Sequence, residues 1–177
     1  MMKNQFVIFC LLLTLTTSCK KLRELTRFTV TDTAYVTIPS GGVINLPFRI
    51  NTPEIQSTSS QEYASNDTRA DLVRTAFLRS VVMRIHTPNT ADFDFLSSLE
   101  VFIASEGMEE VKIAYINNIP QQGLQSLDLT TESSVDLKAF LQAETYALRV
   151  QVVTRQLPSS DITLEIESKY LVEADMF

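Results

Sequence analysis

From residue 28 onward the apolar side chains fall on alternate positions, the pattern of strands that bury one face. Phe28, Val30, Ala34, Val36 and Ile38 share one parity, as do Ile44, Leu46, Phe48 and Ile50, with Pro39-Ser40-Gly41-Gly42 between the two runs. The pair reads as a hairpin or tight connection. Pro47 has no N–H to give to a ladder, so the second strand belongs at an edge or is paired only through its other side there. Residues 51–70 are polar and fit either a loop or an exposed strand, with Tyr63 the ring expected at the surface. Alternation returns in Phe77, Val81, Met83 and Ile85 and stops at His86-Thr87-Pro88-Asn89. It resumes in Leu99, Val101 and Ile103 after one helical turn between Asp92 and Ser98, and turns at Ser105-Glu106-Gly107. Val111, Ile113 and Tyr115 carry it to Asn117-Asn118-Ile119-Pro120, and Leu127 and Leu129 predict a further short strand.

One segment changes period. Ser133 or Ser134 can cap a helix in which Leu137, Phe140 and Leu141 recur at three-to-four spacing, predicting a short crossover helix. Strands then return with Tyr146, Leu148, Val150 and Val152, turn at Leu157-Pro158-Ser159-Ser160-Asp161, and end with Ile162, Leu164, Ile166, Tyr170 and Val172. The fold class is therefore mainly β: an antiparallel, immunoglobulin-like two-sheet sandwich of about eight strands with one crossover helix, a small barrel being the alternative. Residues 77–129 are also loosely similar to the water-stress type of β-sandwich. In that family a strand ends near Asn and Pro, here His86-Thr87-Pro88-Asn89, and an Ile-Pro loop, here Asn118-Ile119-Pro120, precedes a third strand. Pro-Asn replaces that family's Asn-Pro, and the resemblance implies the fold alone.

The first residues follow a different rule. Lys3 precedes the apolar run Phe6, Val7, Ile8, Phe9, Cys10, Leu11, Leu12 and Leu13, which has the length and position of a signal-peptide core. Thr14, Thr16 and Thr17 interrupt it, and Lys20-Lys21 follow, well short of the ~20 apolar residues of a membrane span. Leu15-Thr16-Thr17-Ser18-Cys19 resembles the lipobox of bacterial lipoproteins. That resemblance implies cleavage before Cys19, a diacylglycerol on its thiol and an acyl group on its new amine. At about 0.8 kcal/mol per buried methylene, two or three chains hold a protein firmly on a membrane. The expected organisation is a signal peptide over 1–18, a lipidated basic tether over 19–26 and one β-sandwich domain over 27–177.

Composition sharpens this reading. Cys10 leaves with the signal, so Cys19 is the remaining thiol and no internal disulfide can form. The loss of Lys3 with residues 1–18 takes the formal net charge from −6 to −7, which excludes nucleic acid as an expected partner. Lys20, Lys21, Arg23 and Arg27, opposed by Glu24, form a basic stretch suited to anionic headgroups or to a solvated linker. No acidic run follows the cysteine, so the expected location is the cell envelope, on the outer membrane facing the periplasm.

The chemistry-bearing residues are few. His86, the single histidine, stands at a strand end, no Gly-x-Ser-x-Gly elbow exists, and four glycines leave no phosphate-cradling loop. Asp92-x-Asp94 alternates with Phe93 and Phe95, which fits a turn docked on the core better than a calcium loop. Glu109-Glu110 reads as a solvated hairpin end, and Glu165 and Glu167 as the wet face of a sheet beside Lys169. No cofactor, metal or catalytic residue is expected. The expectation is a non-enzymatic binding module for an envelope protein or glycan, recognition falling to the connections near 56–70, 87–95 and 117–126. The alternative is a carrier of lipid or another apolar ligand in a cavity between the sheets.

Overall fold

The computed structural model describes residues 27–143 and 145–176. Its strands are β1 (Arg27–Ile38), β2 (Pro47–Asn51), β3 (Ile55–Gln56), β4 (Val73–Thr87), β5 (Leu96–Ala104), β6 (Val111–Asn117), β7 (Ser126–Asp128), β8 (Thr130–Thr131), β9 (Thr145–Thr154) and β10 (Ile162–Ala174). Two short helices join them, α1 (Ser59–Ser65) and α2 (Lys138–Gln142). One sheet has the order β1-β10-β4-β7 and the other β2-β9-β5-β6-β8, with β3 also pairing β9; their ladders are antiparallel. The molecule is thus a two-sheet β-sandwich, with ten strands rather than about eight.

Alternation dictates the core. The inward residues of β10 are Ile162, Leu164, Ile166, Ser168, Tyr170, Val172 and Ala174, while Glu165, Glu167 and Lys169 face the other way. Across the gap, Leu99, Val101, Ile103, Ile113, Leu148, Val150 and Val152 close one shared hydrophobic cluster. Each such aliphatic side chain contributes about 1.5–3 kcal/mol by leaving water.

The first two strands do not form a hairpin. All of β1 is registered against β10, from Arg27↔Glu173 to Ile38↔Ile162, whereas Pro47–Asn51 pairs β9 in the opposite sheet. Eight residues lie between β1 and β2, with Asn45 in the left-handed region at φ 59°, so the chain crosses the edge of the sandwich instead of folding back. Ile44 makes an isolated bridge to Thr154, and Leu46 is in no strand. Strand β2 is an edge, where Pro47 leaves no ladder donor wasted.

Residues 51–70 hold α1, which alternation did not reveal. A seven-residue helix is too short to stand alone. It is tied down by Asp32, whose carboxylate accepts from the Ser57 hydroxyl and the Thr58 N–H at 2.8 Å each. The hydroxyls of Ser59 and Tyr63 both donate to the Leu141 carbonyl at 3.0 Å. The predicted crossover helix is α2, but it begins later than Ser133 or Ser134 would place it. Asp136 Oδ1 accepts the Lys138 N–H at its start and the Ala76 N–H of β4, at 3.0 and 2.9 Å.

Register sorts the connections into two ends. Segments 39–46, 88–95, 118–125 and 155–161 leave from one end, joined by bonds such as Phe93 N–H to Leu124 O and Arg155 N–H to Phe95 O. Arg27, both helices and the 105–110 turn lie at the other.

Candidate functional site

At the end remote from Arg27, large aliphatic side chains stand in water. Val43 is 43% exposed, Ile44 46%, Leu46 59% and Leu157 42%. Leu157 reaches the loop that carries the other three: a Cβ placed on Gly42, next to Val43, would lie 3.7 Å from Leu157 Cδ2 and 3.8 Å from Phe48 Cζ. Exposed aliphatics scattered singly need no explanation, but a cluster costs solvation and marks a contact surface.

The backbone holds the cluster in place. Asn45 N–H donates to Thr154 O at 2.8 Å and the Thr154 hydroxyl donates to Val43 O at 2.6 Å, stitching the 43–46 segment to the end of β9. The N–H and hydroxyl of Ser40 both donate to Asp161 Oδ1, at 2.8 and 2.9 Å, fastening the first loop to the last. These two bonds, the N–H first, hold the Asp161 carboxyl below the usual aspartate range. A depression of about 320 Å³ adjoins Leu157, between Asp92 and Phe95 on one side and Pro158 and Ile162 on the other. Alternation assigned Ile44 and Leu46 to a strand face and so hid this site; the sequence signal for it is the flanking Gly41-Gly42 and Asn45, which take the chain out of the ladder.

The residues singled out by sequence have other neighbours. Asp92 caps a 3-10 turn, Phe93–Phe95, that has Asp94 at its centre and whose two rings are buried. Asp92 Oδ1 accepts the Asp94 N–H, and Asp94 Oδ1 accepts the N–H groups of Gln122 and Gly123 at 2.9 and 3.0 Å. These carboxylates organise loops, and no cluster of three metal-ligating side chains occurs among the described residues. His86 is exposed at the end of β4, its ring 4.9 Å from that of Tyr35. Arg84 pairs with Glu165 at 3.3 Å and Glu167 at 3.6 Å, and Lys169 with Glu167 at 3.2 Å. Lys169 above all, with Arg84, holds the Glu167 carboxyl below its ordinary range.

Several expectations are corrected. Tyr63 is 3% exposed, turned inward by α1 with its ring edge-on to Phe28 at 5.9 Å, and Tyr35, at 43%, is the exposed aromatic instead. Glu110 is no bare hairpin end: it takes Arg49 at 2.9 Å and Arg149 at 2.7 Å, bridging β2 to β9. Segment 56–70 lies at the Arg27 end, away from 87–95 and 117–126. Arg27 is the first residue of β1, where it pairs with Glu173. The signal peptide, Cys19 and the tether residues Lys20, Lys21, Arg23 and Glu24 lie outside the described residues.

Inside the sandwich the sheets meet through side chains such as Leu78, Met83, Leu99 and Ile103, each at most 1% exposed. Two further depressions, of about 350 and 240 Å³, share Glu54 in their linings. One polar cluster is buried inside the sandwich: the Tyr146 hydroxyl donates to Asp32 Oδ2 at 2.8 Å and lies 3.3 Å from that of Tyr170. Burial is the main cause that pushes both phenols up, Tyr170 to about 12.

No family model matches the chain, and no curated protein matches it. Among solved structures it is similar to N-glycanase F, at 11% identity and a TM-score of 0.45, over 84% of this chain but only 42% of that one. The capsid asymmetric unit of cyanophage Pam1 gives 12% identity and a TM-score of 0.42, over 82% of this chain and 86% of that one. A CBM32 module of a family 31 glycoside hydrolase from Clostridium perfringens gives 8% and 0.33, over 80% and 75%.

Proposed function

We propose that this chain is a lipid-anchored envelope module that binds a partner without chemistry, through the end of the sandwich remote from Arg27. The supporting observation is the exposure of Val43, Ile44, Leu46 and Leu157 at that end, with Leu157 reaching Gly42 of the loop that carries the others. The anchor would be Cys19, on the outer membrane and facing the periplasm. Strand β1 has twelve residues, so at ~3.3 Å each it carries the chain about 40 Å from Arg27 to the first loop of the cluster. A bilayer bound before Arg27 would leave the aliphatic end pointing into the compartment, with Lys20, Lys21 and Arg23 beside the headgroups.

Two measurements test this. Cys19→Ser should abolish labelling by a fatty-acid probe and move the protein from the membrane to the soluble fraction; continued labelling would refute the anchor. Photo-crosslinkers placed in cells at residues 44, 46 and 157 should yield a discrete adduct that a crosslinker at Met108, exposed at the Arg27 end, does not. Equal adducts at all four positions, or none at the first three, would sink the binding reading.

A further inference from the structure

Resting on that reading of the far end, we infer that its partner is a polypeptide segment that presents aliphatic side chains next to a lysine or arginine. The aliphatic requirement comes from this end itself, where Val43, Ile44, Leu46 and Leu157 are exposed and Leu157 and the half-buried Phe48 both approach Gly42. Branched aliphatics interlock with others of their kind, whereas a sugar face is met by an exposed ring, and the exposed Tyr35 lies on β1 outside these loops.

The cationic requirement comes from charge. Among the residues of segments 39–46, 88–95, 118–125 and 155–161, Asp92, Asp94 and Asp161 are acidic and Arg155 is the sole lysine or arginine. Arg155 donates to the Ile119 carbonyl at 2.7 Å, which ties the one cation of this end to a backbone oxygen. All three carboxylates receive their bonds on Oδ1 alone, and Asp92 lines the depression beside Leu157 while Asp161 is tied to Ser40 of the first loop. Complementary charge at the rim of an apolar contact selects the partner and speeds encounter. It also disfavours the competing occupants, because two copies of this end would oppose acid to acid, as would an anionic bilayer. The loop is already fastened through Asn45, Thr154 and Ser40, so little ordering remains to be done on binding.

The test uses the full chain in phosphatidylcholine nanodiscs and two synthetic amphipathic peptides with one leucine stripe, flanked by lysines in the first and glutamates in the second. Fluorescence anisotropy should show the lysine peptide binding at least tenfold more tightly. Leu46→Asp with Leu157→Asp should weaken it tenfold or more, and Asp161→Asn with Asp92→Asn several-fold. Leu46→Asp alone, at the most exposed of these positions, serves as a second variant whose unchanged thermal melt separates lost binding from lost folding. Equal binding of both peptides, or binding indifferent to Leu46→Asp and to the double variant, would overturn the inference. So would a Leu46-dependent dimer in sedimentation, or Leu46-dependent flotation with phosphatidylglycerol vesicles. If the cellular crosslinks persist while the peptides fail to discriminate, the partner's chemistry alone is wrong; if the crosslinks are absent, the reading beneath it fails.

Discussion

Asp32 occupies an inward position of β1 at 3% exposure and takes donors from Ser57, Thr58 and Tyr146. A buried donor left without its acceptor costs about 1–3 kcal/mol, so Asp32→Ala should lower the unfolding free energy by about 3 kcal/mol in urea titration. Asp32→Asn should cost less, since its carbonyl oxygen can still accept the Thr58 N–H. The neighbouring phenols carry a pH signature. Tyr170 is raised in the folded chain from 10.0 to about 12, so the folded state holds its proton where the unfolded chain has released it. Its contribution is complete below pH ~10 and falls away as pH rises towards ~12; the urea midpoint should decline across that window, less steeply in Tyr170→Phe. Parity alone marks position 32 as inward, between Val30 and Ala34, but a carboxylate there reads as a break in the pattern until its donors are seen. Tyr63 is the converse, a ring in a polar stretch whose burial depends on a carbonyl 78 residues away.

Strands were legible where one face is buried and the other wet. Strands β1, β5, β9 and β10 follow their alternating residues closely, whereas bulges in β4 and β6 shift the parity, so that Ala76 and Leu78 are buried instead of Phe77, and Ile113 with Ala114 instead of Tyr115. What failed was partnership. The turn residues after Ile38 announce a change of direction, yet only the complete register of β1 on β10 shows that the next strand must pair elsewhere. Helix α1 failed for a related reason: its anchors are Asp32 and Leu141, both far away in sequence. The edge strand β2 has five residues and leans on Glu110 through Arg49, while Arg149 of β9 takes the same carboxylate. Glu110→Ala should therefore speed hydrogen exchange of the Phe48–Asn51 amides, with a global cost of no more than about 1 kcal/mol because the pairs are partly exposed.

The fold class follows from local periodicity, because two sheets with one wet face each are the economical way to bury eight or more alternating runs. The binding end does not, since it arises where four connections from distant parts of the chain converge and two of them, 39–46 and 155–161, carry the aliphatic side chains. The same layout fixes how tension would travel. Residue 44 and a hold placed before Arg27 are joined by the covalent backbone of β1, which is already drawn out near its full length. A tug on that loop runs down a taut cord, and the hydrogen-bonded ladders beside it bear almost none of the load.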